Sequence, residues 1–467
     1  MKKESRRIGK EPKKIVLSLS KDKLILRAII AGVCLFLGVG LLLNSCSKMF
    51  NKSQYLVIDY PEFEDSNKVK VTLFDGSVDL SYYYTSDSED SRSIVMDKIE
   101  NILNDNMIYL HKLCDYDQLY IENDTYLINL KYINDNPNTW LKVSDSLYSL
   151  LKEAENLRIN TDGKYSIFSG KLNEIWGDIF ANYGVYGNDA SNVSLFDPMY
   201  DESKKGLIDT VVEKINKDTT NLEFNDSKKE VKFNVFEEDI DFVKLDFGLL
   251  ETSFYMDTLK KLLLEQKLDS GYISSSNGMV ATLGTNKNNI SWGFDSYSFQ
   301  SIYNVNESII YDYSIEFLGR LNYMSFNPML NIKNHSYASN NYYFFNNDDK
   351  MYVRSMIINA KTGYTSDTTH STFTFSDQSS LCEELQDNYN LFFNKFEYNN
   401  EYLLKFENSQ NYGAIVMFND GYTNIEYNGK TTMLYSKLVS NYFNEEYLPY
   451  VTVSEVVKAK IMAKVGD

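Results

Sequence analysis

Residues 28–43 read AIIAGVCLFLGVGLLL, sixteen positions without a charge. This run divides the chain into a head, an apolar segment and a body that must fold by itself. At 1.5 Å of rise per residue it falls short of the roughly 20 residues that span a bilayer. Leu24–Leu26 before it and Asn44–Ser45 after it can extend it. Residues 1–27 hold ten basic and three acidic side chains. Such a head suits the cytoplasmic leaflet and keeps the N-terminus inside by the positive-inside bias. Everything after Lys48 is then expected outside the cytoplasm. Leu43-Asn44-Ser45-Cys46 offers a second reading. A bacterial lipoprotein signal ends in a short apolar run, small residues and the cysteine that is lipidated, although Asn44 is unusual there and the leader is long. An anchor helix and a lipid on Cys46 both tether the body to the outer face of the cell membrane.

The net charge of the whole chain is −18, and the head contributes +7, so the remainder carries −25. A body this acidic repels phosphates, which excludes nucleic acid as a partner. Hydrophobic residues make up 43% and aromatics 14%, enough for a packed core rather than a disordered chain. Of four cysteines, only Cys114 and Cys382 belong to the body. No CxxC pair occurs, so no zinc ribbon or thioredoxin-type site is indicated, and two isolated buried thiols are expected in preference to a disulfide. P-loop, GxSxG and HExxH patterns are absent from the sequence. Of the three histidines, His111 falls on a helical stretch and reads as structural, while His335 and His370 fall in polar turns.

YLVIDY and KVKVTLF read as strands by their β-branched and aromatic residues. Ser91–Leu113 places apolar residues at helical spacing. VSDSLYSLLKEAENLRINTDG predicts a helix with Ser144 as N-cap and Gly163 past its end, and KYSIFSGKLNEIWGDIF is expected to continue it. A loop and a connecting helix are expected over 187–221. LEFNDSKKEVKFNV predicts a hairpin, and LDFGLLETSFYMD opens a further helix. GYISSSNGMVATLGT predicts a strand with a glycine-interrupted loop. Short aromatic strands are expected from Trp292 to Phe375, then a helix over SSLCEELQDNYNLFF, strands, and a last short helix in VSEVVKAKIMAK. This is one α+β body of mixed sheets and helices behind one N-terminal membrane segment.

Glu383 and Asp387 lie four apart, so one helix face can present both carboxylates to Mg2+ or Ca2+, cations that prefer oxygen ligands. Two solvated acids on a surface helix fit the same spacing. SSNGM and KTGY are turns whose glycines let backbone approach a ligand, or only close a hairpin.

The order of these pieces resembles the FAD:protein FMN transferases, the ApbE-type flavin transferases. GKYSIFSGKLNEIWG is similar to their GAFDPTVGPLxxLWG, and LDFGLLETSFYMD to LDLGAIAKGYAVD. SSNGMVATLG…ISWGF is similar to NxGGNIxAxG…WxxGI, MIINAKTGYT to HIIDPxTGxP, and CEELQD falls where ADALST stands. Five segments in one order cover roughly residues 70–440. The resemblance implies a T-fold-type body over 70–440, after a head (1–27), anchor or signal (28–46) and link (47–69), and before a tail (441–467). It implies transfer of FMN from FAD to a Ser or Thr of a flavin-acceptor protein outside the membrane, with a divalent metal, Mg2+ or Ca2+.

Carried over residue by residue, the resemblance places flavin-binding positions at Lys164, Tyr165, Ser166, Asp246, Thr252, Asn277, Gly278 and Met356. Metal donors fall at the Leu249 carbonyl, Glu383 and Asp387. Asp246, Gly248, Asp257, Thr362 and Gly363 match the family pattern, and Trp176, Gly177, Gly284 and Trp292 read as retained for packing and turns. The departures fall on chemistry. The family's lysine becomes Thr252, its histidine becomes Met356, and the acid of its AFD triplet becomes Ser166. Loss of one preorganised charged group typically costs about 10²–10³ in rate. Two readings stay open: a divergent flavin transferase, and a catalytically silent relative that binds flavin, metal or protein at the cell surface.

Overall fold

Strands from both ends of the body meet in one sheet. The computed structural model describes residues 68–73, 78–83, 89–186, 193, 195–283, 293–303, 311–322, 331–335, 342–347, 350–355, 357–365, 369–376, 379–393, 412–419 and 431–435. The sheet strands are β1 (Lys68–Leu73), β2 (Val78–Tyr83), β3 (Gly271–Ser275), β4 (Met279–Leu283), β5 (Asn331–His335), β6 (Thr369–Ser376), β7 (Tyr412–Asn419) and β8 (Thr431–Tyr435). Their spatial order follows the chain, each antiparallel to the next. The sheet is thus a meander interrupted by long excursions, the longest running from β2 to β3.

That excursion holds most of the helices. They are α1 (Glu89–Ile102), α2 (Ile108–Cys114), α3 (Leu130–Asp135), α4 (Asp145–Asn160), α5 (Gly170–Tyr186), α6 (Glu202–Ile215) and α7 (Leu249–Glu265). A last described helix, α8 (Leu381–Phe392), follows β6. The start signals are local. Ser144 Oγ accepts the Leu147 N–H, Asn129 Oδ1 that of Tyr132, and Asp201 those of Ser203 and Lys204. Each satisfies donors that a helix N-terminus leaves unpaired. Leu103–Met107 forms a π-turn between α1 and α2, so the helix expected over Ser91–Leu113 carries a widened turn in its middle.

Helix α7 packs on β3 and β4, and α8 packs on α7, β5 and β6. Trp176, Phe168, Phe196, Phe247, Phe375 and Phe392 are fully buried in the core. Cys114 and Cys382 are separate buried thiols, and His111 lies in α2.

Four expectations need correction. His335 and His370 fall in β5 and β6 rather than in polar turns. The segment after Asn160 does not continue the helix. Asp162 and Gly163 both take positive φ, which ends α4, and Gly170 starts α5 on a new axis. GYISSSNGMVATLGT makes two strands, β3 and β4, around the Asn277-Gly278 turn. Two of the aromatic strands, Gly293–Tyr303 and Tyr311–Asn322, are long and pair as a hairpin. The anchor or signal at residues 28–46, YLVIDY and the C-terminal helix lie outside the described residues. Among the described residues no helix is long and apolar enough to cross a membrane.

Candidate ligand pocket at the start of α7

Ahead of α7 the chain is pinned from two sides. Leu245 exchanges both backbone hydrogen bonds with the Asn134 side chain, at 2.8 and 3.0 Å, and Asp246 N–H donates to the Ile167 carbonyl at 2.8 Å. The Asp246 carboxylate then turns back. Its Oδ1 accepts the Gly248 N–H at 2.8 Å and its Oδ2 accepts Asn173 Nδ2 at 2.7 Å. Gly248, the N-cap of α7, takes φ +53°, a conformation that disfavours any residue with a Cβ. Burial pushes the Asp246 carboxyl up, while Asn173, the Gly248 amide and Lys244 pull it down.

This turn floors a cavity of about 270 Å3 that Tyr165, Ser166, Trp176, Asp246, Leu249 and Tyr389 help to line. Tyr165 donates its hydroxyl to the Phe247 carbonyl at 3.2 Å and meets the Tyr389 ring edge-on at 5.8 Å. Trp176 Nε1 donates to the Gly363 carbonyl at 2.8 Å, tying the cavity wall to the KTGY turn. Gly363 itself has no room for a side chain, since a Cβ there would meet Ile208 Cγ2 at 2.5 Å. The cavity offers aromatic walls, one buried carboxylate and an amide. It suits a flat polar ring, at the small end of ligand pockets.

Of the positions picked from sequence, Tyr165, Ser166, Asp246 and Leu249 meet in this cavity. Lys164 stands beside it, its Nζ 3.3 Å from the Thr161 carbonyl and 3.3 Å from Asn390 Oδ1. Thr252, Asn277 and Gly278 form a second group. Asn277 Nδ2 donates to Thr252 Oγ1 at 3.1 Å, and Asn277 Oδ1 accepts from Ser275 Oγ at 2.5 Å. Where the family pattern has a lysine, this chain has a neutral hydrogen-bonded network. Met356 lies outside the described residues.

The α8 acids face different surroundings. Glu383 is exposed and closes a capping box, its Oε2 accepting the Ser380 N–H at 2.7 Å while Ser380 Oγ accepts the Glu383 N–H. Asp387 is buried. Among the described residues no three His, Cys, Asp or Glu side chains converge as a metal cluster. As the residues stand, the donor set does not fit a bound cation, because one of its two carboxylates is already spent on the cap. Asp257 acts as a brace between helices. Its two oxygens accept the Leu381 and Cys382 N–H groups at 3.0 and 3.2 Å, which joins α7 to the first turn of α8.

Several residues escaped the sequence reading. Glu251, in the opening turn of α7, accepts the Tyr255 hydroxyl at 2.6 Å. Burial, helped by Asp246 and Asp115 and opposed by Tyr255, moves its carboxyl up to about 7. Glu384 is fully buried, with Ser379 Oγ on Oε1 and, among the described residues, no hydrogen-bond partner for Oε2. Arg354 and Asp197 form a buried two-pronged ion pair behind Trp176. Glu251 and Glu384 sit within stretches the motifs had singled out. The Arg354 pairing had no local signal.

Comparison with known proteins gives a consistent picture. A model described as the ApbE family matches residues 120–385. The chain is similar in structure to the ApbE protein of Thermotoga maritima MSB8, with 16% identity, 81% of this chain and 99% of the other covered, and a TM-score of 0.51. It is also similar to the flavin transferase ApbE of Vibrio cholerae, with 14% identity, 80% and 99% covered, and a TM-score of 0.50. At these identities the likeness is one of fold. No curated protein matches the chain.

Proposed function

The chain belongs to the ApbE family, and from that premise we propose that it is a flavin-transferase-like protein whose cavity holds the ring of FAD. The observation that carries this reading is the convergence of Tyr165, Ser166, Asp246 and Leu249 on one aromatic-walled cavity. The reaction of the class is transfer of FMN from FAD to a Ser or Thr hydroxyl of an acceptor protein, with AMP leaving. In this chain Tyr165, Trp176 and Tyr389 bind and shield the ring. Asp246, braced by Asn173 and the Gly248 amide, orients it. The Thr252–Asn277 bond favours the weakly active or silent reading, since a neutral pair already bonded to itself stabilises charge that builds on a phosphate less than a lysine does.

The divalent cation of the class, Mg2+ or Ca2+, would have to draw on the Leu249 carbonyl, Glu383 and Asp387, a set that does not fit it as the residues stand. Glu383 would join them only by releasing the Ser380 amide, which opens one of the two hydrogen bonds of the capping box. Cation binding is therefore weak. The full-length protein titrated with FAD should quench flavin fluorescence, show a small cation effect, and flavinylate acceptor protein slowly or not at all. Absence of any flavin binding would sink the cavity reading, and rapid transfer would sink the weak-activity reading.

The tether belongs to the same proposal: a basic head inside, residues 28–46 as anchor helix or Cys46 lipoprotein signal, and the 70–440 body outside the cell membrane. The support is the charge step across the apolar run. Protease added to intact cells should digest the body, and full protection would reverse the topology.

A further inference from the structure

Beside the cavity, two lysines meet at the turn that ends α4. Lys164 is half-buried, and the oxygens nearest its Nζ, both 3.3 Å away, are neutral. Among the described residues no carboxylate stands within ion-pair distance of it. Lys361 runs across Gly163, its Cγ 3.5 Å from where a Cβ would stand there, and its Nζ reaches Asp162 Oδ2 at 2.7 Å. That pair is open to solvent on both sides, with 46% and 80% of the side chains exposed. Such pairs hold their partners weakly, so Lys361 can exchange Asp162 for another anion. Burial holds the Lys164 ammonium below the ordinary lysine range, with the like charge of Lys361 adding and the nearby Asp162 carboxylate opposing. An added anion would relieve both.

The location ties this cluster to the cavity. Tyr165, Ile358 and Tyr389 line the cavity. Lys164 precedes Tyr165, Asn390 follows Tyr389, and Lys361 is three residues past Ile358. The Ala360 N–H donates to the Lys164 carbonyl at 2.8 Å, which clamps the two lysine-bearing segments together. Three residues of chain span at most about 10 Å, the reach of a short polar arm leaving a ring. Other lysines nearby are spent: Lys244 is shared between Glu174 at 2.7 Å and Asp117 at 3.2 Å, and Lys171 holds Glu174 at 2.8 Å.

We infer that Lys164 and Lys361 form an anion-binding point at the rim of the cavity, which takes a phosphate of the ligand whose ring the cavity holds. The inference rests on the flavin reading of that cavity. It gives this chain a positive charge for the phosphate at a position other than Thr252. The interaction is charge-assisted and partly open to solvent, so it should weaken as salt rises.

Full-length protein titrated with riboflavin, FMN and FAD by fluorescence quenching tests the point, with inorganic pyrophosphate as a separate probe. FMN and FAD should bind about tenfold tighter than riboflavin, an advantage of about 1.4 kcal/mol. Lys164→Met and Lys361→Met should each narrow that gap, and Lys164→Arg should keep most of it. Melting curves verify that the variants are folded. Equal affinity of wild type for riboflavin and FMN would overturn the inference while leaving the cavity reading standing. So would lysine variants that keep the gap. Pyrophosphate bound in a Lys164-dependent way, with no flavin bound, would uphold the anion point and remove the flavin reading. Failure to bind any of the four probes would remove both.

Discussion

Stability should fall by several kcal/mol between about pH 5 and about pH 9, and Glu384→Gln should remove much of that fall. Glu384 lies in α8 with no exposed surface, one oxygen held by Ser379 and the other without a hydrogen-bond partner among the described residues. Burial moves its carboxyl from 4.5 up to about 8, with the Ser379 and Thr374 hydroxyls opposing and the Asp387 and Glu383 charges adding. Both charged neighbours are acids on its own helix, so ionising Glu384 adds a like charge to a dry interface. The raised value means that the folded chain holds this proton more tightly than the unfolded chain. The stability so contributed is whole below about pH 4.5 and is lost as pH rises through about 8. A displacement of that size corresponds to roughly 3–5 kcal/mol.

Glutamine cannot ionise, so urea unfolding of the variant should show a flatter pH profile. Glu251 leaves a residual slope of the same sign, because its carboxyl also stands above the ordinary range, at about 7. At about pH 5 the variant should be the less stable of the two, since its amide buries donors where the acid had one proton. The two profiles should cross as pH rises. Parallel profiles would show that Glu384 already ionises in the folded chain at low pH.

Glu384 also shows where local sequence stops being enough. The i, i+4 spacing of Glu383 and Asp387 put two carboxylates on one helix face. A second signal in the same stretch ran against it: Ser380-x-x-Glu383 is a capping box, and it turns Glu383 back onto the helix start. Glu384, three residues past Leu381 and four before Asn388, shares the buried stripe with both. The helix starts at Ser144 and Gly248 were legible because caps and turns act over a few residues. The break after Asn160 was not, because apolar spacing resumes on its far side and only the two left-handed residues mark it. The pairing of β2 with β3 joins segments separated by most of the helices, and no local pattern encodes it. At the site, the motifs found the Asp246–Gly248 turn and the aromatic positions near it. They could not show that Thr252 had been absorbed into a hydrogen bond with Asn277, since that depends on the fold bringing α7 to the β3–β4 turn.

Arg354→Met should destabilise the protein by about 3–5 kcal/mol and loosen the cavity wall, because removing one member of a buried pair strands the other charge in a medium that solvates it poorly. Arg354 donates Nε to Asp197 Oδ2 at 3.0 Å and Nη2 to Asp197 Oδ1 at 3.2 Å, with 4% and 0% of the side chains exposed. Its guanidinium lies 5.8 Å from the Trp176 ring centre and 6.0 Å from that of Tyr364. Adding Asp197→Asn should recover a good part of the loss. Asparagine discards the stranded charge and still accepts the Met199 N–H that Asp197 holds at 2.8 Å. Urea midpoints of the two single variants and the double variant separate these terms, because partners in contact are not additive. A double variant as unstable as the sum of its singles would assign the loss to packing around Trp176 rather than to charge. Flavin affinity supplies the independent readout. Trp176 is held from one side by the Gly363 carbonyl and from the other by Arg354, so Arg354→Met should weaken flavin binding at temperatures where the variant is fully folded. An unchanged affinity there would mean that the Gly363 hydrogen bond alone sets the indole.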